Sequence, residues 1–287
     1  MAASRTAQYV AMYRALETSE PRRPPLFRDP HAMSFLPRRL ALLVRASRAS
    51  AVRGLVERYA DRRAPGARTS AIARTAYIDD AVRSAVRAGI DQLAILGAGF
   101  DSRAHRMPEL AGTSVYEVDR AETQALKRAQ LPESGRLRYV AVDFLRDDVG
   151  ERLAAAGWSA ARPTLFLWEG VTNYLTEAAV VRTLAWIGST APGGRVVFTY
   201  IHAGVLDGSV AFDGAQQLVA NVRALGEPWT FGLAPDAVAP FVARAGLILR
   251  EDIGADDYRK RYLGPAATPG YRFYRIAFAE VARRGAS

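Results

Sequence analysis

The residues best placed to do chemistry are two glycines that follow a short apolar segment and an acidic residue that ends the next such segment. Residues 91–96 are almost continuously apolar, which is typical of a strand buried on both faces of a parallel sheet. Gly97 and Gly99 follow at once and let the backbone turn sharply and approach a ligand. Asp119 lies 20 positions after Gly99. This spacing predicts a nucleoside site with the carboxylate beside a ribose.

The same segment departs from the dinucleotide fingerprint. The third glycine of G-x-G-x-x-G is replaced by Ser102, which the acidic Asp101 precedes. A carboxylate would repel a diphosphate, so NAD and FAD fit poorly. A ribose-bearing ligand without phosphates fits better, and S-adenosylmethionine is the common one. Two glycines after an apolar run are also compatible with an ordinary strand–helix turn, and Asp119 favours the nucleoside site over that alternative.

Further acidic residues follow the other predicted strands. Ligands of open α/β sheets bind beyond the carboxyl ends of the strands, where Asp119, Asp143 and Glu169 are expected to lie. Asp119 would accept hydrogen bonds from both ribose hydroxyls. Asp143 would accept one from the adenine amino group, with Phe144 against the ring. Any one of these residues could simply cap a helix, but the set together favours an adenosine-and-sulfonium site.

The cationic end of such a ligand would need an anion and its carboxylate would need a cation. Glu169, which precedes Gly170, ends an apolar strand, and a buried carboxylate there needs a partner. Arg74, upstream of the first strand, is the candidate for the ligand's carboxylate. Arg28 and Arg103 could likewise position an anionic acceptor.

S-adenosylmethionine carries a methyl group on its sulfonium, and a transfer of that group would require alignment of acceptor and methyl group and exclusion of water. A carboxylate acceptor is ionised at about pH 7 and needs no base, whereas a phenol or alcohol would benefit from one. His202, after the fifth predicted strand, is the best-placed imidazole, with Tyr174 and Tyr200 as candidate orienting residues. The alternative for His202 is a capping or solvated role.

Composition restricts the class of protein. With 287 residues, 49% of them hydrophobic, the chain can bury one large core. No segment approaches the roughly 20 apolar residues of a membrane span, and the N-terminus lacks an apolar signal core. We therefore expect a soluble cytoplasmic protein without a membrane partner. There is no cysteine, and the three histidines are far apart, so no metal site is expected.

The net charge of +10 invites a nucleic-acid interpretation. All but two of the 39 basic residues are arginine, and they are scattered rather than arranged in a stripe with aromatic residues. We therefore expect no nucleic-acid partner. The charge would still attract an anionic small molecule.

The pattern of elements predicts an α/β fold. Strands are expected at 91–96, 114–118, 138–142, 164–169 and 194–201, with 247–251 and 271–281 as an antiparallel pair. Helices are expected at 7–18, 38–59, 69–88, 121–130, 149–156, 177–189 and 236–245. This alternation indicates a Rossmann-like, doubly wound, mostly parallel seven-stranded sheet. Within one domain, 1–287, we expect a helical lid at 1–88, a cofactor-binding core at 89–202, a helical insert at 203–232, and the end of the sheet at 233–287.

Several of these segments together are similar to a known family. The chain resembles the bacterial class I S-adenosylmethionine-dependent methyltransferases related to leucine carboxyl methyltransferase, which include carboxyl O-methyltransferases of aromatic polyketide pathways. The matching segments are 26–30, 74–75, 96–104, 116–119, 142–144 and 169–175. The resemblance implies that the lid and insert cover the acceptor site, and that the cofactor is held by Arg74, Gly97, Ala98, Gly99, Asp101, Asp119, Asp143, Phe144, Glu169 and Gly170. Asn173 replaces a bulkier residue of many relatives, so the resemblance does not fix the acceptor.

The leading hypothesis is an O-methyltransferase that acts on a carboxylate or phenol of a small molecule in secondary metabolism. One alternative is a cyclase-like or decarboxylase-like protein that uses the cofactor site without methyl transfer, because a fold does not determine a function. A protein-carboxyl methyltransferase is another alternative, and a nicotinamide-dependent oxidoreductase is disfavoured by Asp101 and Ser102. The sequence is compatible with a homodimer.

Overall fold

A single seven-stranded sheet organises the chain. The computed structural model describes residues 5–132, 135–265 and 267–282. The strands are β1 (Gln92–Leu96), β2 (Ser114–Asp119), β3 (Leu137–Ala141), β4 (Thr164–Trp168), β5 (Arg195–Ile201), β6 (Leu247–Ile253) and β7 (Tyr274–Val281). Their spatial order is β3-β2-β1-β4-β5-β7-β6.

The strand directions confirm the predicted mixed sheet. Strands β1 to β5 run parallel to one another, and β7 is antiparallel to both β5 and β6. Every residue of β1 and β4 is buried, as expected for parallel strands covered on both faces. Since the chain order reverses between β1 and β4, the turns that follow these two strands diverge and leave the crevice in which open sheets bind ligands.

Helices cover both faces of the sheet. After the N-terminal helices α1 (Arg5–Thr18), α2 (Arg38–Ala46), α3 (Ser50–Arg63) and α4 (Ala67–Arg87) come α5 (Arg103–Arg106), α6 (Ala121–Arg128), α7 (Val149–Ala155), α8 (Glu177–Gly188), α9 (Gly204–Asp207), α10 (Ala215–Ala224), α11 (Pro235–Ala243) and α12 (Ala255–Tyr262). Helices α7, α8 and α11 pack on one face of the sheet, and α4 and α12 pack on the other. Helix α12 has no counterpart in the sequence prediction, because only Ala255 and Tyr258 of its eight residues are buried and it shows little apolar periodicity.

The single helix predicted over 38–59 is wrong, because the chain bends between α2 and α3. The Ser47 hydroxyl donates back to the Val44 carbonyl at 2.7 Å, which closes the last turn of α2. Arg53 then anchors α3 through a hydrogen bond of 2.8 Å to the carbonyl of Leu16 in α1 and an ion pair of 3.0 Å to Glu20. A buried arginine thus sets the direction of α3, and helical periodicity alone could not indicate it.

The insert is helical only in its first part. It contains α9 and α10, but the return segment from 225 to 234 is not helical. Leu233 donates its backbone N–H to Ile201 at 2.9 Å, and Ala203 donates to Leu233 at 3.1 Å. The end of β5 therefore satisfies backbone groups that a helix would otherwise have to pair.

Among residues 5–132, 135–265 and 267–282, no helix is both long and apolar enough to cross a bilayer. Within the same ranges, no group of three or more His, Cys, Asp or Glu side chains is arranged so that it could hold a metal ion.

Candidate functional site

The turn after β1 has a backbone that requires glycine. Gly97 and Gly99 have φ angles of +69° and +46°. A Cβ on Gly97 would lie 2.3 Å from Cγ2 of Val171, whereas a Cβ on Gly99 would meet only the Gly97 carbonyl oxygen at 4.0 Å. Glycine is therefore required at position 97, because the turn after β1 packs closely against the turn after β4. Gly99 instead borders open space that a ligand can approach.

Asp119 ends β2 beside this turn. Its Oδ2 accepts the Gly99 backbone N–H at 2.6 Å, and its Oδ1 accepts the Arg120 N–H at 2.7 Å. The residue is partly exposed. Each oxygen retains a lone pair, so the oriented carboxylate can still accept from two neighbouring hydroxyls.

Glu169 is held between two arginines. Its Oε1 accepts from Arg74 Nε at 2.6 Å, and its Oε2 accepts from Arg103 Nη1 at 3.1 Å. Burial favours the neutral carboxyl, but the two guanidinium groups outweigh it and hold the pKa of Glu169 below its usual range. The sequence predicted that Arg74 and Glu169 contact opposite ends of the ligand, and the structure places them in contact with each other.

Asp101 is engaged by the protein itself. Its Oδ1 accepts the Arg103 backbone N–H at 2.7 Å, and its Oδ2 is paired with the Arg103 guanidinium. Burial is opposed by the charges of Arg103 and Lys127, which keep the pKa of Asp101 well below its usual range. The carboxylate therefore fixes the start of α5. Any contact with a cofactor remains a prediction.

Gly170 links the Glu169 turn to the neighbouring strands. It has a φ of +72°, and its N–H donates to Thr199 Oγ1 at 2.8 Å. The Tyr274 hydroxyl lies 3.1 Å from the same Oγ1 atom, and the Arg74 guanidinium lies over the Tyr274 ring at 4.9 Å. Strands β5 and β7 thus support both Glu169 and Arg74.

Asp143 and Phe144 follow β3 at the same edge of the sheet. Asp143 Oδ1 accepts the Leu145 N–H at 3.0 Å, and 42% of its side chain is exposed. The Phe144 ring lies 6.2 Å from that of Trp168, the last residue of β4. A half-exposed acceptor beside an aromatic ring is compatible with the predicted adenine contacts.

The two predicted catalytic residues have different neighbours. His202 Nδ1 accepts the Gly204 N–H at 3.0 Å, and its ring lies 5.1 Å from Phe212. Tyr174 lies beside Thr6 and Trp229, and burial raises its pKa. The structure thus does not combine them into a dyad.

The lone pair of the His202 ring is already used inside the protein. Because Nδ1 accepts the Gly204 N–H, the neutral ring carries its proton on Nε2. Tyr200, the other candidate orienting residue, is fully buried and donates to both carboxylate oxygens of Asp252 at 3.0 Å. It is therefore unavailable to His202.

One buried residue of the site was missed from the sequence. Asp79 of α4 is completely buried and accepts from Arg103 Nε at 2.8 Å. The sequence did contain an indication of it. Asp79 lies between the apolar residues Ile78 and Val82 of a predicted helix, and an acidic residue on a buried face needs a charged or hydrogen-bonding partner.

Comparisons with known proteins show which family the chain matches. Residues 7–188 match the leucine carboxyl methyltransferase family. A protein of Frankia alni is 37% identical over 207 residues and one of Streptomyces coelicolor is 37% identical over 216 residues, each match covering 70% of both chains. Both are named putative S-adenosyl-L-methionine-dependent methyltransferases.

Two solved structures share the fold. A putative methyltransferase of Thermobifida fusca has a TM-score of 0.60 at 18% identity, with 96% of this chain and 94% of that chain covered. A DUF574 family protein of Streptomyces avermitilis has a TM-score of 0.58 at 17% identity, with 93% and 96% covered.

The seven-stranded sheet has a glycine turn at its switch point with a carboxylate beside it, and together with the matched relatives it identifies a methyltransferase of the Rossmann-like class. The chain belongs to the leucine carboxyl methyltransferase family. Its cofactor is S-adenosylmethionine, which supplies a methyl group on a positively charged sulfur. The residues present fit that group. Gly99 borders open space, Asp119 keeps free lone pairs, and Arg74 and Glu169 offer both charges to an amino acid end.

Proposed function

We propose that this methyltransferase transfers the methyl group to a carboxylate oxygen of a small molecule. The observation that carries the proposal is that each candidate base at the site already has a partner. Glu169 is bound by two arginines and Asp101 by Arg103, while the free lone pairs of Asp119 are assigned to the ribose hydroxyls of the cofactor. His202 accepts at Nδ1. A carboxylate acceptor is ionised at about pH 7 and needs no base.

The proposed step moves no proton. An oxygen of the acceptor carboxylate forms a bond to the methyl carbon while the bond between that carbon and sulfur breaks. The electron pair stays on sulfur, which becomes a neutral thioether. The contribution of the protein is alignment and exclusion of water. The Nε2–H of His202 could donate to the acceptor carboxylate and orient it.

The aromatic cluster beside His202 supports the proposal of a small aromatic or apolar acceptor, as expected in secondary metabolism. Phe212 lies 5.1 Å from the His202 ring and 5.9 Å from Phe273, which lies 6.1 Å from Trp229. The Thr6 hydroxyl donates to Glu227 at 3.1 Å, so that α1 meets the insert beside Tyr174. Phe212 and Trp229 are the partly exposed aromatic residues of this cluster, and an aromatic surface of this kind favours a compact apolar acceptor over a polar protein surface.

The experiment compares acceptors that differ in one group. Aromatic carboxylic acids, the matching phenols and short peptides with a free C-terminus are incubated with S-adenosylmethionine that carries a labelled methyl group. A methyl ester releases labelled methanol in mild alkali, and an aryl methyl ether does not. We expect alkali-labile label on the acids. Label confined to phenols or to peptide C-termini would contradict the proposal, and so would the absence of any transfer by a protein that binds S-adenosylhomocysteine.

A further inference from the structure

Arg103 is a buried arginine that contacts three carboxylates. Its Nε donates to Asp79 Oδ1 at 2.8 Å, and its Nη1 donates to Glu169 Oε2 at 3.1 Å and to Asp101 Oδ2. Only 1% of its side chain is exposed. A single guanidinium therefore connects helix α4, the turn after β1 and the residue after β4.

The Asp79 contact fixes the orientation of this guanidinium. Asp79 is completely buried, and Arg106 also donates to both of its oxygens at 2.7 Å. Asp79 lies on α4, the same helix that carries Arg74. Both arginines that hold Glu169 are thus tied to α4. Arg74 is a residue of that helix, and Arg103 is bonded to Asp79, which is another.

The two arginines differ in access. The Arg74 side chain is 10% exposed and that of Arg103 is 1% exposed. An incoming carboxylate would therefore meet Arg74 and compete with Glu169 for it. Arg103 is committed to Asp79 and Asp101 and remains beside Glu169. Once Arg74 turns toward an incoming carboxylate, Arg103 still supplies positive charge that keeps the partly buried Glu169 ionised.

We propose that Arg103 is a positioning residue that keeps Glu169 oriented and charged for the amino group of the cofactor while Arg74 binds the cofactor's carboxylate. This role concerns recognition of the cofactor and does not depend on which acceptor is methylated. The proposed role also predicts that the effect of Arg103 depends on the ligand. Arg103 should matter for ligands that carry the amino acid end and not for ligands that consist of the adenosine part alone.

The test measures calorimetric binding of two ligands to Arg103→Gln and Arg103→Lys. S-adenosylhomocysteine carries the amino acid end, and 5′-methylthioadenosine has the same adenosine and thioether without it. We expect the Kd of S-adenosylhomocysteine to rise at least about tenfold in both variants, since a lysine cannot reproduce the planar fork. The Kd of methylthioadenosine should stay within about twofold of the wild-type value.

Arg106→Gln is the matched control, because Arg106 is equally buried and binds Asp79 but not Glu169. We expect both Kd values to stay within about threefold in this variant. Circular dichroism and thermal unfolding establish that each protein is folded, and Arg103→Lys is the variant that retains the charge if Arg103→Gln does not fold.

Three results would overturn the role of Arg103. They are an unchanged Kd for S-adenosylhomocysteine, equal losses for both ligands, and failure of both Arg103 variants to fold, which would make the residue structural. Failure of the wild-type protein to bind S-adenosylhomocysteine would contradict the cofactor instead.

Discussion

The Gly99 backbone N–H lies 2.6 Å from Oδ2 of Asp119, so the turn after β1 is bonded to the end of β2. The two residues are 20 positions apart in the chain. They meet because β1 and β2 are parallel neighbours with Leu96 opposite Val118. The register therefore places the carboxylate directly beside the glycine turn and orients it toward the cofactor side of the sheet.

Asp119→Asn should weaken binding of S-adenosylhomocysteine with little loss of fold. An amide oxygen can still accept the Gly99 N–H, but the amide NH2 cannot accept the exposed Arg120 N–H, and the charge that strengthens the hydrogen bonds from the ribose hydroxyls is removed. We expect a loss of about 2 kcal/mol in binding free energy, or about thirtyfold in Kd, by calorimetry. The control is Asp148→Asn, which alters the N-cap of α7 instead. Equal Kd values for the two variants would argue against a ribose contact.

Gly97→Ala should destabilise the protein more than Gly89→Ala. Both glycines have positive φ angles, +69° and +86°, so the backbone cost of alanine is similar. The new Cβ would lie 2.3 Å from Val171 Cγ2 at Gly97 and meets nothing within 4 Å at Gly89. We expect about 2 kcal/mol of additional destabilisation in chemical unfolding. Val171→Ala combined with Gly97→Ala should recover part of it; no recovery would mean that the clash is not the cause.

The buried pair of Glu117 and Lys127 should make stability depend on pH. Lys127 Nζ lies 2.5 Å from Glu117 Oε2, yet burial raises the pKa of Glu117 to about 7. The folded protein thus binds this proton more tightly than the unfolded chain, whose glutamate has a pKa near 4.5. This contribution to stability is complete below about pH 4.5 and is lost as the pH rises through about 7.

The corresponding measurement is the free energy of unfolding of the wild type and of Glu117→Gln between about pH 4.5 and pH 8. Over that range the wild type should lose about 3 kcal/mol more than the variant. Glu122→Gln, an exposed change on α6, should retain the wild-type slope. Parallel curves for wild type and Glu117→Gln would show that Glu117 does not titrate in this range.

His202→Asn should retain most of the activity toward a carboxylate acceptor. The asparagine oxygen can accept the Gly204 N–H as Nδ1 does now, while the imidazole is removed. Loss of a general base typically costs 10²- to 10⁴-fold, so a change in kcat of less than about tenfold is the expected result. A drop of about a hundredfold or more would identify His202 as a base and favour a phenol acceptor.

The parts of the fold that the sequence predicted correctly are those with a local signature. Strands β1 and β4 are buried at every position and therefore read as continuous apolar runs. The break between α2 and α3 and the non-helical return of the insert were not predicted. In both cases the deciding contacts come from elsewhere in the chain, as with Arg53 and the Leu16 carbonyl 37 positions away.

The sequence by itself determined the doubly wound sheet, the glycine turn with Asp119, and hence an adenosine-type site without phosphates. These features follow from residue type and spacing, because apolar periodicity and backbone freedom are local properties. Only the tertiary structure decided that Glu169 is shared by Arg74, 95 positions away, and Arg103, 66 positions away. It also decided which His202 nitrogen carries the proton. Charge pairing and tautomer depend on distances of a few ångströms between groups remote in the chain, and folding alone sets those distances.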